Sequence, residues 1–576
     1  MKVLKRILTT MMCLCLVWSC VAVMGTAAET ETPAGSITIE NQSGTNASVA
    51  GKKLNLFKIF NATTDGENIS YQWVKEEKDG QTINKYESFF FGTDGVISEE
   101  KGTIHDVVSY INSLKDDSFS FSQMAAKLHE YIHEESISPD KSEVVPNGST
   151  SFTFSDLQLG YYLIYDATDL SESKEAVRSA AMLTHPGENK TIKLKADRPH
   201  IVKQVDDRNT GAENADWKLG TTASIGDKVT FRIVTMIPDH DLYGDDYTFV
   251  ITDKMADELE LVKDSIKVAI TETATTDGEG SGVQGAATTY TVVTDIAQLD
   301  EGVDFEVSFN NITELSQDTV VEIIYEAKVL TTAKDKNFNT ATLTYSNDPN
   351  NLSSTGSVDA TATVMLWQFT LTKYMEDTNG TPSFIRLPGA EFEIYSKNDL
   401  DNPLKFTTEE VTSEGGVTYL KYVFNPDAGT VTTLKTLDEG DDGKTDVGYT
   451  DGGSLGQILI WGLGEGTYVI RETKAPAGYQ VAKGDFEFTL RDTVGPTGAI
   501  SNATISEAER TQSPGKFTRV MIQEMEQKYY IGITNAPGSV LPETGGMGTT
   551  LFTVIGIVLM AGAIGFFSTR KRSSFA

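Results

Sequence analysis

Hydrophobic positions along the chain recur mainly with a period of two. From about residue 150 onward, short segments alternate apolar and polar residues between clusters of Gly, Asn and Asp. The clearest segments are Val229–Ile233, Tyr247–Asp253, Val320–Val329, Ala341–Tyr345, Phe369–Lys373 and Phe486–Leu490. Such alternation is typical of antiparallel sheets with one buried and one solvated face. The pattern therefore predicts an all-β chain of sandwich domains.

Two segments near the N-terminus follow a helical spacing instead. Thr103–Leu114 and Phe121–Glu135 predict two helices packed beside the first sheet. A length of 576 residues suggests three or four domains at about 150 residues each. Interruptions of the strand pattern near residues 197–199, 364–368 and 536–539 predict the domain boundaries. The predicted parts are 1–28, 29–195, 196–365, 366–537 and 538–576.

The first part has the features of a secretory signal peptide. Three bases, Lys2, Lys5 and Arg6, precede an apolar stretch over Ile7–Met24. Small residues then occupy Gly25–Ala28, which predicts cleavage after Ala27 or Ala28.

The cysteines all lie inside this segment, at Cys13, Cys15 and Cys20. A lipoprotein signal ending at Cys20 is an alternative, but Trp18 is too bulky for the small position that such a signal requires. The remainder, 29–576, contains no cysteine. This excludes disulfide scaffolds, zinc fingers, iron–sulfur clusters and cysteine nucleophiles from the mature body.

The last part begins with a short motif and continues as an apolar run. Leu551–Phe567 is almost wholly apolar and is followed by the bases of Arg570–Arg572. As a helix it would rise about 25 Å, so it predicts a transmembrane helix with its basic end inside the cell. The preceding motif consists of Leu541, Pro542, Glu543, Thr544 and Gly545.

Charge narrows the possible partners. The chain has 82 acidic and 48 basic side chains, an excess that argues against nucleic-acid binding.

The segment His129–His133 fits the HExxH pattern of zinc proteases. The extended pattern would need Gly and His where Ser136 and Pro139 stand, so we predict no metal site and no cofactor.

Two motifs resemble those of a known family. Leu541–Gly545, the apolar run and the basic tail resemble the sorting signal of Gram-positive surface proteins. The resemblance implies cleavage between Thr544 and Gly545 and transfer of the Thr544 carboxyl to an amine. Tyr468–Tyr479 resembles the E-box of Cna B-type domains in sortase-assembled pilins. In that family a lysine and an asparagine join spontaneously through an isopeptide bond.

The resemblance assigns this bond to Lys373 and Asn535, assisted by Glu472. Strand parity supports the assignment independently, because each of the three follows apolar residues of the same parity and so points inward. Burial disfavours charge, which favours a neutral amine beside a protonated acid. Such an amine can attack the amide carbon while the acid shuttles protons.

The middle domain repeats this pattern with Lys203, Asp253 and Asn339. It resembles the aspartate-assisted variant of the same family, which implies a Lys203–Asn339 bond with Asp253 as catalyst. Asn347 has the same parity and is the alternative partner. A Lys203–Asp253 ion pair without a covalent bond also stays open.

The first domain departs from the pattern. Asn41 stands at the position of the first-strand lysine, and Asp166 stands at the position of the catalytic acid. With no lysine there, we predict no bond in this domain.

A sorting signal needs an acceptor amine. Related pilins use a lysine just before the second domain, and Lys193 and Lys195 lie there. Ile192 and Leu194 are predicted to face the core, so both lysines should face solvent, and we choose Lys195.

The resemblance as a whole is to major backbone pilins. It implies Ig-like or Cna-type sandwiches, a secreted and wall-anchored shaft subunit, and no enzymatic activity. The implied partners are a pilus-class sortase, a housekeeping sortase, identical subunits, peptidoglycan, and tip and base pilins. The alternative is a monomeric adhesin anchored to peptidoglycan that binds host extracellular matrix.

Overall fold

The computed structural model describes most of the chain. The described ranges are 35–42, 47–65, 68–92, 95–97, 101–114, 119–186, 190–207, 215–271, 290–309, 312–376, 382–412, 418–436, 456–482, 484–494, 500–507, 521–525, 528–538 and 547–572. They form two compact units. The first unit runs to Arg198 and includes Asp241–Gly244 and Asn347–Ser354, and the second holds the remainder.

The first unit is built on two main sheets. Its strands are β1 Gly35–Glu40, β2 Lys53–Thr64, β3 Ile69–Trp73, β4 Lys75–Lys78, β5 Gln81–Asn84, β6 Lys141–Val144, β7 Ser151–Leu157, β8 Gly160–Asp166, β9 Met182–Thr184 and β10 Lys190–Lys193. One sheet has the order β10-β1-β7, and the other has the order β3-β2-β8-β9 with β6 paired to β2. β4 and β5 form a separate hairpin.

Helices contribute side chains to this unit's core, and the sequence predicted the two longer ones. They are α1 Glu87–Phe90, α2 Ile104–Ser113 and α3 Phe119–Glu134. A capping box between Thr103 and Asp106 begins α2 by satisfying backbone N–H groups that lack a helical partner. On α3, Met124, Leu128 and Ile132 are buried at intervals of four residues, so one face of the helix packs into the core.

The first unit also buries an ion pair. Lys52 Nζ lies 2.5 Å from Asp166 Oδ2, with side-chain exposures of 6% and 0%. Lys52 also donates to the Val177 carbonyl at 2.6 Å, and the Ser179 N–H donates to Asp166 at 2.9 Å. The pair thus joins the start of β2, the end of β8 and the segment after it.

The second unit contains two sandwiches, and the middle one comes first along the chain. Its strands are β11 Ile201–Asp206, β12 Trp217–Lys218, β13 Gly220–Thr222, β14 Lys228–Met236, β15 Phe249–Met255, β16 Leu259–Leu261, β17 Lys267–Thr271, β18 Tyr290–Val293, β19 Phe305–Phe309, β20 Val320–Val329, β21 Lys336–Ser346 and β22 Thr355–Met365. One sheet has the order β12-β11-β14-β20-β16 with β17 paired to β20, and the facing sheet has the order β13-β22-β21-β15-β19-β18. Strict alternation of buried residues along β20 confirms the predicted period of two.

The C-terminal sandwich follows directly. Its strands are β23 Trp367–Glu376, β24 Pro382–Arg386, β25 Glu391–Ser396, β26 Phe406–Thr412, β27 Thr418–Phe424, β28 Leu434–Lys435, β29 Gln457–Leu463, β30 Gly466–Lys474, β31 Phe486–Val494, β32 Ile500–Glu507, β33 Met521–Met525 and β34 Lys528–Asn535. One sheet has the order β26-β27-β29-β23-β34-β33, with β24 paired to β23, and the facing sheet has the order β28-β25-β30-β31-β32. The first and last long strands, β23 and β34, are parallel neighbours.

The terminal segments are described only in part. Helix α4 covers Met547–Arg572 and includes the apolar run. Within the ranges given above, no helix meets the length and apolarity needed to cross a membrane, so the predicted transmembrane helix is not confirmed. The predicted signal peptide, 1–28, lies outside the described residues.

We predict that Lys52→Met strongly destabilises the first unit. The substitution leaves Asp166 buried without its partner charge, which costs about 3–5 kcal/mol. Urea-dependent proteolysis of the full chain, with cleavage sites mapped to residues before Arg198, measures this loss.

The matched control is Lys193→Met. Lys193 pairs with Glu40 at 2.8 Å, but their side chains are 55% and 40% exposed. Loss of such a surface pair costs at most about 1 kcal/mol. Equal destabilisation by the two substitutions would contradict the role given to the buried pair.

Candidate functional site

In the C-terminal sandwich, three predicted site residues meet in the core. Lys373 on β23 donates a short hydrogen bond from Nζ to Asn535 Oδ1 on β34. Glu472 reaches them from β30 in the facing sheet: its Oε1 lies 3.1 Å from Lys373 Nζ and accepts from Asn535 Nδ2 at 2.9 Å. A single carboxyl oxygen thus contacts both the amine and the amide nitrogen.

The surroundings of this trio are dry and apolar. The Lys373 and Glu472 side chains are 0% and 1% exposed. Phe369, Leu371, Ile531 and Ile533 are buried on the same two strands, and Lys373 Nζ lies 5.6 Å from the centre of the Phe392 ring. Burial lowers the pKa of Lys373 to about 8, and the Glu472 charge only partly offsets this. The lowered pKa raises the neutral, nucleophilic fraction of the amine at physiological pH above that of an exposed lysine.

In the middle sandwich, a second trio meets across the two sheets. Lys203 projects from β11, whereas Asp253 and Asn339 project from β15 and β21 of the facing sheet. Lys203 Nζ donates to Asn339 Oδ1 at 2.6 Å and makes a short contact with Asp253 Oδ2. The Lys203 and Asp253 side chains are both 0% exposed.

A fourth residue, Tyr325 on β20, belongs to this second site. Its hydroxyl accepts from Lys203 Nζ at 2.7 Å and from Asn339 Nδ2 at 3.0 Å, and it donates to Asp253 Oδ2 at 2.8 Å. The sequence did not identify Tyr325 as a site residue. The available signal was a tyrosine at an inward position of a long alternating strand, since a buried Tyr hydroxyl needs a partner.

Burial shifts the protonation of the second site. It lowers the pKa of Lys203 to about 8 despite the neighbouring Asp253, and it raises the pKa of Asp253. It also raises the pKa of Tyr325 well above its usual value, so the phenol keeps its proton at neutral pH. Both shifts of the Lys203–Asp253 pair favour a neutral amine beside a neutral acid.

The two candidate partners of Lys203 are placed very differently. Asn339 contacts its amine directly, whereas Asn347 belongs to the first compact unit. The Asn347 amide donates to the Ala176 carbonyl at 3.0 Å and accepts from the Ser354 hydroxyl at 2.8 Å. The geometry therefore favours Asn339.

In the first unit, the two positions equivalent to the trios do not meet. The Asn41 side chain accepts from the Val49 N–H at 2.8 Å. Asp166 instead pairs with Lys52, a lysine that precedes β2 rather than lying on β1. The absence of a covalent bond there stays a prediction.

The two candidate acceptor lysines also differ in their surroundings. Lys193 is exposed and forms an ion pair with Glu40. Lys195 is half-buried, and its backbone is held on both sides: its N–H donates to Ser179 Oγ at 3.1 Å and its carbonyl accepts from the Ala180 N–H at 2.8 Å. Leu194 between them is buried, as parity predicted.

The HExxH segment lies on α3. His129 stacks against Tyr165 and contacts Phe57, and burial lowers its pKa to about 4, whereas Glu130 and His133 are exposed. Among the described residues, no group of three potential ligands could hold a metal ion. His129 is therefore a half-buried residue that packs against aromatic side chains of the first unit.

Comparisons with known proteins concern the C-terminal half of the chain most directly. Residues 368–504 match the family described as Prealbumin-like fold domain, and residues 534–574 match the LPXTG cell wall anchor motif. The anchor motif marks the chain as a surface protein attached to the cell wall. Its pentapeptide, 541–545, lies outside the described residues. No curated protein sequence matches the chain.

Several solved structures are similar at low identity. The T6 backbone pilin of Streptococcus pyogenes serotype M6 is 16% identical, with 88% of this chain and 99% of that chain covered and a TM-score of 0.46. The major pilin SpaD of Corynebacterium diphtheriae is 15% identical, with coverage of 88% and 98% and a TM-score of 0.40. The major pilin subunit BcpA of Bacillus cereus is 15% identical, with coverage of 88% and 100% and a TM-score of 0.37.

We predict that both buried lysines titrate far below exposed ones when no bond can form. In a chain carrying Asn339→Ala and Asn535→Ala, Lys203 and Lys373 should be charged below about pH 8 and neutral above it. NMR titration of labelled lysine side chains measures this directly. Exposed lysines in the same spectra serve as controls, with a pKa of about 10.4. Titration of both residues together with the exposed lysines would contradict the proposed desolvation.

Proposed function

We propose that the chain is the shaft subunit of a covalently polymerised pilus on a Gram-positive cell surface. Sortases would join its copies, and intramolecular Lys–Asn isopeptide bonds would stabilise each copy. The proposal rests most heavily on one observation: each of two sandwiches holds a lysine amine against an asparagine carboxamide in a dry core, with a carboxyl group on the amine. The anchor motif adds the means of attachment.

The proposed chemistry in the C-terminal sandwich is a single self-reaction. Neutral Lys373 Nζ attacks Cγ of Asn535, the Nζ–Cγ bond forms, and the Cγ–Nδ2 bond breaks with release of ammonia. Glu472 contacts both nitrogens, so it can carry the proton that leaves Nζ to the departing Nδ2. Each chain reacts once and is not regenerated, so we do not regard the protein as an enzyme.

The proposed reaction in the middle sandwich joins Lys203 to Asn339, with Asp253 as the acid. Here the bond would link the two sheets, whereas the Lys373–Asn535 bond would link neighbouring strands of one sheet. The alternative is an ion pair without a bond. Direct contact between the amine and the carboxamide oxygen favours the bond.

Such bonds would suit a fibre under tension. The joined residues are 136 and 162 positions apart, so tension that enters at one end of each loop would pass through the bond without extending the loop. In the entropic account, closing loops of this length stabilises each sandwich by about 5 kcal/mol. An amide cannot be reduced, which suits a mature body without cysteine.

Assembly would use both ends of the precursor. We propose that residues 1–28 are removed during secretion, and that the apolar segment Leu551–Phe567 and its basic tail retain the chain until a pilus-class sortase cuts after Thr544. The Thr544 carboxyl would then pass to Lys195 of the next copy. Lys193, whose side chain is exposed, is the alternative acceptor. A housekeeping sortase would attach the finished fibre, with its tip and base pilins, to peptidoglycan.

We predict that surface extracts of cells producing the chain give a ladder of bands that survives boiling in detergent. Lys195→Arg should collapse the ladder to the monomer, because a guanidinium is not a nucleophile for the acyl intermediate. Lys193→Arg is the matched control and should leave the ladder intact. Immunoblots of wall extracts measure all three chains.

The outcomes separate the possible functions. A single wall-bound band from the unaltered chain would contradict polymerisation and support the monomeric adhesin. A ladder that survives Lys195→Arg but disappears with Lys193→Arg would keep the pilus and move the acceptor to Lys193.

A further inference from the structure

The two trios place a carboxyl group beside the lysine amine with acidic side chains of different length. In the C-terminal sandwich, Glu472 Oε1 contacts both Lys373 Nζ and Asn535 Nδ2. In the middle sandwich, the acid is the shorter Asp253, and among the described residues no hydrogen bond joins it to Asn339. Its Oδ2 contacts Lys203 and Tyr325, while its Oδ1 is buried without a donor. The acid therefore reaches the amine but not the nitrogen that must leave.

Tyr325 fills the gap between the acid and the leaving nitrogen. Its oxygen lies 2.8 Å from Asp253 Oδ2 and 3.0 Å from Asn339 Nδ2. It also lies 2.7 Å from Lys203 Nζ, so this one hydroxyl contacts all three members of the trio. The ring is held in place by stacking against Phe231 and by edge contact with Phe305, at centroid distances of 5.6 and 4.8 Å.

We infer that Tyr325 is a catalytic residue of the middle sandwich and carries the proton from Asp253 to the leaving nitrogen of Asn339. This inference rests on the proposed function, because it concerns the same isopeptide bond. It goes further by assigning proton transfer to the leaving nitrogen to the hydroxyl of Tyr325. In the C-terminal sandwich the longer side chain of Glu472 reaches that nitrogen alone.

The step balances in atoms and protons. Neutral Lys203 Nζ attacks Asn339 Cγ, so the Nζ–Cγ bond forms. Asp253 passes its proton to the Tyr325 oxygen while the Tyr325 hydroxyl rotates and gives its own proton to Nδ2, and the Cγ–Nδ2 bond breaks to release ammonia. The Asp253 carboxylate then takes one proton from Nζ. Tyr325 and Asp253 finish in their starting states, and no oxidant or reductant is needed.

The protonation of Tyr325 fits the role of a proton donor to the leaving nitrogen. Burial keeps its pKa well above the usual value, so the phenol holds a proton to give and does not ionise beside Asp253. Bulk solvent does not reach the site, since Lys203, Asp253, Asn339 and Tyr325 are each no more than 1% exposed.

The test is the time course of bond formation in newly synthesised full chain. Tyr325→Phe keeps the ring and removes only the hydroxyl. We expect it to slow formation of the Lys203–Asn339 bond by about a hundredfold or more, because a positioned proton-transfer group contributes at least about that factor. The Lys373–Asn535 bond of the same molecules should form at the unaltered rate and is the internal control. Pulse labelling followed by digestion and mass spectrometry resolves the two bonds.

Two further variants make the test specific. Tyr468→Phe removes another buried hydroxyl, one that donates to the Gly464 carbonyl, and should change neither rate. Asp253→Glu in the Tyr325→Phe chain lengthens the acid by one methylene, as in Glu472, and should restore part of the lost rate.

The outcomes are distinct. Formation of the Lys203–Asn339 bond at the unaltered rate in Tyr325→Phe would overturn the inference for Tyr325 alone. If Tyr325→Phe slows formation of the Lys203–Asn339 bond, partial recovery of the rate with the added Asp253→Glu supports proton transfer through Tyr325. Absence of recovery contradicts it. This comparison holds even where Tyr325→Phe also lowers the stability of the sandwich. Absence of the bond from the unaltered chain would instead refute the proposed function of this sandwich.

Discussion

A lysine amine held in a water-free β-sandwich is the constraint on which the structure of the second unit depends. Burial of a charged ammonium is so unfavourable that the group must be paired, neutralised or both. Lys203 and Lys373 each meet a carboxyl group and a carboxamide, and burial lowers the pKa of each amine to about 8. The same desolvation that makes the residue costly to bury makes its amine more nucleophilic, so the fold itself would prepare the proposed reaction.

Three lysines are buried in the part of the chain that the structure describes, and they show how small differences in geometry change the surroundings of the amine. Lys373 meets an acid long enough to contact both nitrogens, and Lys203 meets a shorter acid supplemented by Tyr325. Lys52 meets a carboxylate and a backbone carbonyl but, among the described residues, no side-chain carboxamide. Asp166 also accepts from the N–H groups of Thr168 and Ser179. Without a carboxamide beside it, the Lys52 amine has an ion-pair partner but not the reactant of the proposed bond. The first unit would therefore depend on electrostatics where the second would depend on the proposed covalent closure.

Much of this arrangement follows from local sequence, and the rest depends on which strands face each other. Strand parity was enough to point Lys373, Glu472 and Asn535 inward, because a period of two determines the face of each residue. Parity cannot separate Asn339 from Asn347, which have the same parity but would lie about 27 Å apart along an extended strand. Only the pairing of β15 with β21 brings Asn339 beside Asp253. Tyr325 and Lys52 were missed for the same reason, since their partners come from other strands.

Intact mass of the secreted chain tests the covalent closure most directly. The unaltered chain should be lighter by two molecules of ammonia than the mass calculated for its processed sequence. Lys373→Ala should remove one of these deficits, Lys203→Ala should remove the other, and the double variant should show no deficit. A folded chain with no mass deficit would contradict covalent closure of both sandwiches, whatever the distances between their side chains.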